Sequence, residues 1–404
     1  MANRIESPSV PFLSKEQIAW SLFDAGCWGY ASVTISTIVP LVFQKDTPTP
    51  EQPYSSAVWA NTVAAGTVVA GLLCPFIGAL VDAYSVRKAT VFVSAVAMVG
   101  FLTLFASLDP SNWILLLLVA MVAVLFYSVM QAVYNSLLMH VVDASEDELI
   151  TVSGVQCAIG NLGAMILMTL LQLNDAKHEK HALPQAMVFN AFLWSAVWFG
   201  VFSLPFYVMY QEESSPDTPT LSNAKRDSSG MGTVGNNIRL AWVSFKQTLH
   251  HRELVKYIVA TLLYSDASST VFSIYNVYAS QVGVSTDVLL RGSVVNRWVG
   301  LASALGWVGM ARTVGGRACL LASIGGILLA CVMLGFVQSD FDYWCVNVLL
   351  GIAGAGQYVF SRALLGRLTT KGKTAQHFGL MAGVSRVSGL IGPVVYGALS
   401  VAAG

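Results

Sequence analysis

Charge is scarce in this chain. Lys and Arg number 22 and Asp and Glu also 22 among 404 residues, 11% of the whole, where soluble domains carry roughly 25%. So little polar surface cannot coat a particle of this size in water. A formal net charge of zero removes the electrostatic footprint of a nucleic-acid binder. The six cysteines (Cys27, Cys74, Cys157, Cys319, Cys331, Cys345) form no CxxC pair and sit in or at the ends of apolar runs, as buried thiols do. The six histidines lie in loops or at run ends, none in a recognisable arrangement with Ser or Cys; His178 and His181 read as a solvated pair. There is no Walker sequence, which disfavours ATP-driven transport. The residues therefore describe no enzyme and call for no cofactor and no metal.

What the chain has in abundance is long apolar runs. A bilayer core about 30 Å thick takes roughly 20 helical residues at 1.5 Å each. Eleven runs reach that length: 18–43, 57–81, 89–108, 112–139, 149–173, 186–210, 254–281, 287–308, 317–337, 341–367 and 377–403. Their continuity excludes an outer-membrane barrel, whose strands are short and alternate. The expected fold is all-α and embedded in a lipid bilayer. The polar first seventeen residues are unlike a signal peptide.

Lys and Arg set the orientation. With residues 1–17 in the cytoplasm, sixteen of them fall on inner segments and only Lys45, Lys177, Lys180 and Arg291 on outer ones, Arg297 and Arg386 lying within runs. The N-terminus is expected to be cytoplasmic. The longest polar break, 211–253, is rich in Ser, Asn, Asp and Gly and reads as a cytoplasmic linker between a bundle at 18–210 and a second at 254–404. Within it, Ile238, Trp242, Phe245 and Leu249 recur at helical spacing and predict an interfacial helix over Asn237–Arg252. An echo supports the halving: Leu22-Phe23-Asp24-Ala25 in the first run, Tyr264-Ser265-Asp266-Ala267 in the seventh.

Between the second and third runs stands Gly78-Ala79-Leu80-Val81-Asp82-Ala83-Tyr84-Ser85-Val86-Arg87-Lys88. It resembles the G-x-x-x-D-x-x-G-R-[KR]-[KR] signature of the major facilitator superfamily, with Ser85 in place of the second glycine and Val86 in place of a basic residue. An ordinary turn obeying the positive-inside rule would carry the same cations. The counterpart loop, Gly306 to Arg317, keeps Arg312, Gly315, Gly316 and Arg317 but has no acid. Further blocks are similar to the vacuolar amino-acid effluxer (autophagy-related) branch of that superfamily: Ala19-Trp20-Ser21-Leu22-Phe23-Asp24, Gly29-Tyr30-Ala31, Tyr134-Asn135, Val152-Ser153-Gly154, Gly160-Asn161-Leu162-Gly163, Gly356-Gln357, Ser361-Arg362-Ala363-Leu364, Lys371-Gly372, Phe378-Gly379-Leu380 and Gly392-Pro393. The resemblance implies two pseudo-symmetric helical bundles, a vacuolar, lysosomal or plasma membrane, and export of amino acids by alternating access. Where the branch adds a twelfth helix, the sequence given stops at Gly404.

Charges inside the runs cost at least ~2.5–3.5 kcal/mol each at mid-bilayer, so they face a bundle interior or a wet cavity. Asp24, Asp266, Arg297 and Arg386 are the four that stand out. Asp266 is the expected proton carrier, its charge answering to Arg297; a permanent Asp266–Arg297 ion pair is the other reading. Asp24, Tyr30, Gln131, Tyr134, Asn135, Tyr264 and Gln357 are candidate substrate contacts, or else hydrogen bonds between helices. Asp82, Arg87, Lys88, Arg362 and Arg386 are candidate members of a cytoplasmic gate. The expected partners are the bilayer, a small-molecule substrate and protons, with no nucleic acid. A membrane sensor acting through the linker, or a transporter of other amphipathic metabolites or drugs, fits the same residues.

Overall fold

Ser14 opens the first helix with a reciprocal cap: its hydroxyl accepts the Gln17 N–H at 3.2 Å, and the Gln17 side chain accepts the Ser14 N–H at 3.0 Å. The computed structural model describes residues 13–38, 56–108, 112–142, 145–175, 185–212, 230–370 and 372–403. The cations at Lys45, Lys177 and Lys180, the histidines at 178 and 181, Pro40 and linker residues 213–229 lie outside them.

Helix α1 (Lys15–Tyr30) widens into a π-helical segment, Ala31–Ile38. It is followed by α2 (Ser56–Tyr84), α3 (Arg87–Ser107), α4 (Trp113–Ser136), α5 (Glu146–Asp175) and α6 (Gln185–Met209). A single helical turn, Leu138–Val141, lies between α4 and α5. Next come α7 (Gly230–Leu249), α8 (Arg252–Gln281), α9 (Thr286–Val314), α10 (Gly316–Leu334), α11 (Asp340–Leu368) and α12 (Thr374–Ala403). No strand occurs among the described residues. The eleven apolar runs become α1–α6 and α8–α12, while the periodic stretch of the linker becomes α7, which begins earlier than the sequence pattern suggested.

Seven of these helices are long and apolar enough to cross a membrane on composition alone. Helices α1, α8, α9 and α12 fall outside that group, and they carry Asp24, Asp266, Arg297 and Arg386. Of these four charges Arg386 lines the interior cavity described below, Asp24 is fully buried behind it, and Arg297 bonds to side chains of the opposite half. The outer faces stay apolar: Leu72, Val93, Val208, Leu263, Leu321 and Phe336 are all exposed, as lipid-facing side chains are.

In the first half α1 packs on α5 and α6, and α4 on α2 and α3. Phe23 stacks on Tyr134 with ring centroids 4.4 Å apart and meets Phe199 and Phe206 edge-on. In the second half α8 packs on α12, and α11 on α9 and α10. The halves meet along two seams, α2 against α12 and α5 against α9. The α2–α12 seam is closed by missing side chains. A Cβ on Gly78 would lie 2.3 Å from the Ala375 carbonyl oxygen, and one on Gly383 would lie 2.3 Å from the Gly71 carbonyl oxygen. Glycine at these points brings the two backbones into contact.

A cavity walled by two arginines

A cavity of about 530 Å³ lies between the halves, within the 300–1,000 Å³ range of small-molecule sites. Helical periodicity builds its walls. Tyr127, Gln131 and Asn135 recur every four residues on α4; Ser265, Ser268 and Phe272 line α8; Gln357, Tyr358, Ser361 and Arg362 line α11; Phe378, Met381, Ser385 and Arg386 line α12; and Trp28 enters from α1. Trp28 meets Tyr358 edge-on across the interface at 4.9 Å. Ser268 Oγ stands 2.8 Å from Gln357 Oε1 and 2.7 Å from the Tyr264 carbonyl oxygen, with one proton to share between the two acceptors.

The two arginines differ in how they are held. Arg362 is buried and reaches across to the first half: Nη1 donates to Asn135 Oδ1 at 3.2 Å and to Gln156 Oε1, and Nη2 to the Ser153 carbonyl at 3.3 Å. Its guanidinium lies 3.9 Å from the centre of the Tyr358 ring. Behind it sits Asp24, fully buried, neither carboxylate oxygen meeting a donor at good geometry. Arg362 is the opposite charge acting on Asp24, with the Tyr358 hydroxyl also close by. Arg386 has only the face of Tyr127, 5.7 Å away on the opposite half. Among the described residues it makes no hydrogen bond and no ion pair.

One end of the bundle, where α1 begins, is locked. Here Asp82, at the foot of α2, accepts the backbone N–H groups of Ala375 (3.1 Å) and Gln376 (2.9 Å) and the Thr374 hydroxyl (3.3 Å). These are the unsatisfied donors of the α12 N-terminus, where a carboxylate also meets the positive end of the helix dipole. Arg87 Nη2 donates to the same carboxylate at 2.7 Å. A second tie, Arg367 on α11 to Glu146 on α5, crosses the other seam. Helix α7 lies over the first seam: Trp242 and Phe245 pack on Phe76 of α2, Ser244 donates to Gln376 of α12 at 2.6 Å, and Lys373 Nζ donates to Gln247 at 2.9 Å. Burial there pushes the Lys373 ammonium below its ordinary range, while Asp82 pulls it back up.

The family model described as vacuole effluxer Atg22-like matches residues 51–404. The chain belongs to this family. An Atg22-like chain is similar, at 21% identity, to the uncharacterized MFS-type transporter YxiO of Bacillus subtilis, over 95% of this chain and 87% of that protein. It is 23% identical to autophagy-related protein 22-1 of Aspergillus fumigatus over 62% of this chain, but spans only 43% of that relative's length. Among solved structures, the Escherichia coli fucose:proton symporter FucP superposes with a TM-score of 0.73 at 12% identity, covering 97% of this chain and 94% of that one. The human organic anion transporter MFSD10 gives 0.70 at 12%, covering 94% and 92%. These likenesses establish the major facilitator fold for this Atg22-like chain.

Against that fold the expected residues can be placed. Gln131, Asn135, Gln357, Arg362 and Arg386 are on the cavity wall. Asp24 stands one layer behind it. Tyr30 and Tyr134 are buried away from the lining; Tyr134 staples α1 to α4, accepting from Gln156 Nε2 at 3.0 Å and donating to the Trp20 carbonyl. Tyr264 lies beside the wall, sharing a 2.9 Å hydrogen bond with the Ser361 hydroxyl. The anticipated Asp266–Arg297 pair is not formed. Arg297 bonds Asn161 Oδ1 (3.5 Å) and Ser32 Oγ (3.4 Å) on the opposite half, and Asp266 is off the cavity lining. The helix turn places Ser265 and Ser268, rather than Asp266, toward the cavity.

The anticipated gate also changes in membership. Of Asp82, Arg87 and Lys88, only Asp82 bonds across the seam among the described residues. Arg87 and Lys88 stay in the first half, where Glu212 accepts both of their backbone N–H groups and Lys88 Nζ donates to the Tyr210 carbonyl. Arg362 and Arg386 face the cavity rather than the locked end, although each bridges the halves. Glu146, Gln156, Tyr127 and Trp28 were not singled out. Nothing in their local sequence marks them, since their roles arise only when two helices distant in the chain are brought together.

Proposed function

We propose that the chain is a secondary transporter exporting small carboxylate-bearing metabolites, amino acids first among them, by alternating access coupled to protons. The observation that carries this reading is the cavity between the halves, lined by guanidinium, amide and hydroxyl groups and shut at one end by breakable ties. The positive-inside distribution of Lys and Arg makes the locked end cytoplasmic, in a vacuolar or plasma membrane. The halves rock about the cavity: Asp82 releases the α12 N-terminus and Glu146 releases Arg367, and solute then enters from that side.

Coupling is assigned to Asp24 rather than Asp266. Arg362 is shared: it balances Asp24 when the cavity is vacant and turns to the carboxylate of a substrate when one arrives. A substrate carboxylate that draws Arg362 away leaves Asp24 buried without its counter-charge, and a proton on Asp24 relieves that cost. Gln131, Asn135 and Gln357 orient the polar end of the substrate, and Phe272, Phe378 and Met381 receive its apolar part.

The test is amino-acid flux in proteoliposomes, with and without a pH gradient, for the wild type, Asp24→Asn and Asp266→Asn. Gradient-driven accumulation should vanish in Asp24→Asn while exchange persists, and it should survive in Asp266→Asn. Loss of coupling in the Asp266 variant alone would overturn the assignment. Absence of flux for every solute tested would overturn transport itself.

A further inference from the structure

We infer that Arg386 is an anion seat and that the cargo carries net negative charge, as an acidic amino acid or a dicarboxylate does. This deepens the transport reading above and rests on it for the word cargo, though the seat itself is a property of the cavity.

The argument is a charge count around one space. Two guanidinium groups line the cavity and no carboxylate does, among the described residues. Arg362 is already compensated, with Asp24 behind it and Asn135, Gln156 and the Ser153 carbonyl taking its N–H groups. Arg386 is not compensated. It lies on the cavity wall 5.7 Å over Tyr127 and, among the described residues, donates to no protein acceptor, so its fork of N–H groups is left without a protein partner there. A half-buried cation on a cavity wall whose donors are unsatisfied by protein is a binding site for whatever brings the missing acceptors.

A neutral zwitterion would satisfy that fork with its carboxylate, but its ammonium then needs a seat of its own. The cavity offers no acid for it. Of the aromatic rings, the other natural seat for a cation, Tyr358 and Tyr127 already hold Arg362 and Arg386, which leaves the ammonium only the uncharged rings of Trp28, Phe272 and Phe378. A second negative group meets the opposite situation, because Arg362 stands on the same wall and draws it in. The site therefore ranks net-anionic solutes above neutral ones and neutral ones above cations.

Equilibrium binding to the detergent-purified full chain at fixed ionic strength tests this, using radiolabelled glutamate, succinate, alanine and lysine. Glutamate and succinate should bind about 10- to 100-fold tighter than alanine, the span of one or two charge-assisted hydrogen bonds, with lysine weakest. Arg386→Gln should abolish that preference, and Arg386→Lys, which keeps the charge but not the fork, should retain part of it. Thermal unfolding of each variant shows that the loss is not loss of fold. Equal binding of alanine or lysine, or anion binding untouched in Arg386→Gln, overturns the inference. Flux of neutral amino acids without anion binding would sink the seat and leave the transporter; anion binding without any flux would do the reverse.

Discussion

Replacing Asp82 with Asn should open the locked end of the bundle by a calculable amount. The carboxylate accepts three bonds from the foot of α12, two from backbone amides and one from the Thr374 hydroxyl. Asn keeps one acceptor and puts an NH2 group against one of the two amides, so one charge-assisted bond is lost outright and another is weakened. The pair with Arg87 lies within the first half and persists whether the seam is open or shut, so it drops out of the difference. Charge-assisted bonds contribute about 1.5–3 kcal/mol each before solvation of the freed amides offsets part of it. A net shift of about 2–3 kcal/mol follows, or about 30- to 150-fold in the open population. Cys74 reports that population. It is 2% exposed on α2, its carbonyl against Gly379 in the seam. Site-resolved mass spectrometry of N-ethylmaleimide labelling should show its rate rising by that factor, while Cys27, fully buried within the first half, stays unlabelled. A Cys74 rate changed less than twofold would refute the latch, and a matching rise at Cys27 would mark unfolding instead.

The tie between Glu146 and Arg367 should matter far less. Both side chains are more than a third exposed, and such pairs contribute about 0–1 kcal/mol. Glu146→Gln should accelerate Cys74 labelling no more than about fivefold; an effect as large as that of Asp82→Asn would show the two seams to be equal. Ser85→Gly should stabilise the protein, because Ser85 holds a left-handed φ of 52° at the turn between α2 and α3. Relief of that conformation is worth about 0.5–1 kcal/mol after the extra entropy of glycine is subtracted. A lower thermal midpoint for this variant would place the strain elsewhere.

The helices were legible because bilayer thickness imposes a length on every apolar run, and eleven runs met it. Asp82 was legible as a clamp because its motif is local in sequence. The partners of the buried charges were not. Arg362 sits close in sequence to Gln357 and Tyr358 but finds Gln156 and Asn135 two hundred residues away, and no periodicity encodes which helices face each other. Asp266 misled for the same reason: a step of one residue on α8 gives the cavity to Ser265. Ser85 stands where the superfamily motif has glycine, and the backbone still takes the glycine conformation there.

Helix α7 touches Phe76 on one half and Gln376 and His377 on the other. That helix is thus a strap across the α2–α12 joint. Parting the joint means peeling the strap from at least one side, so whatever grips or loosens that helix sets how readily solute gains the doorway beneath it.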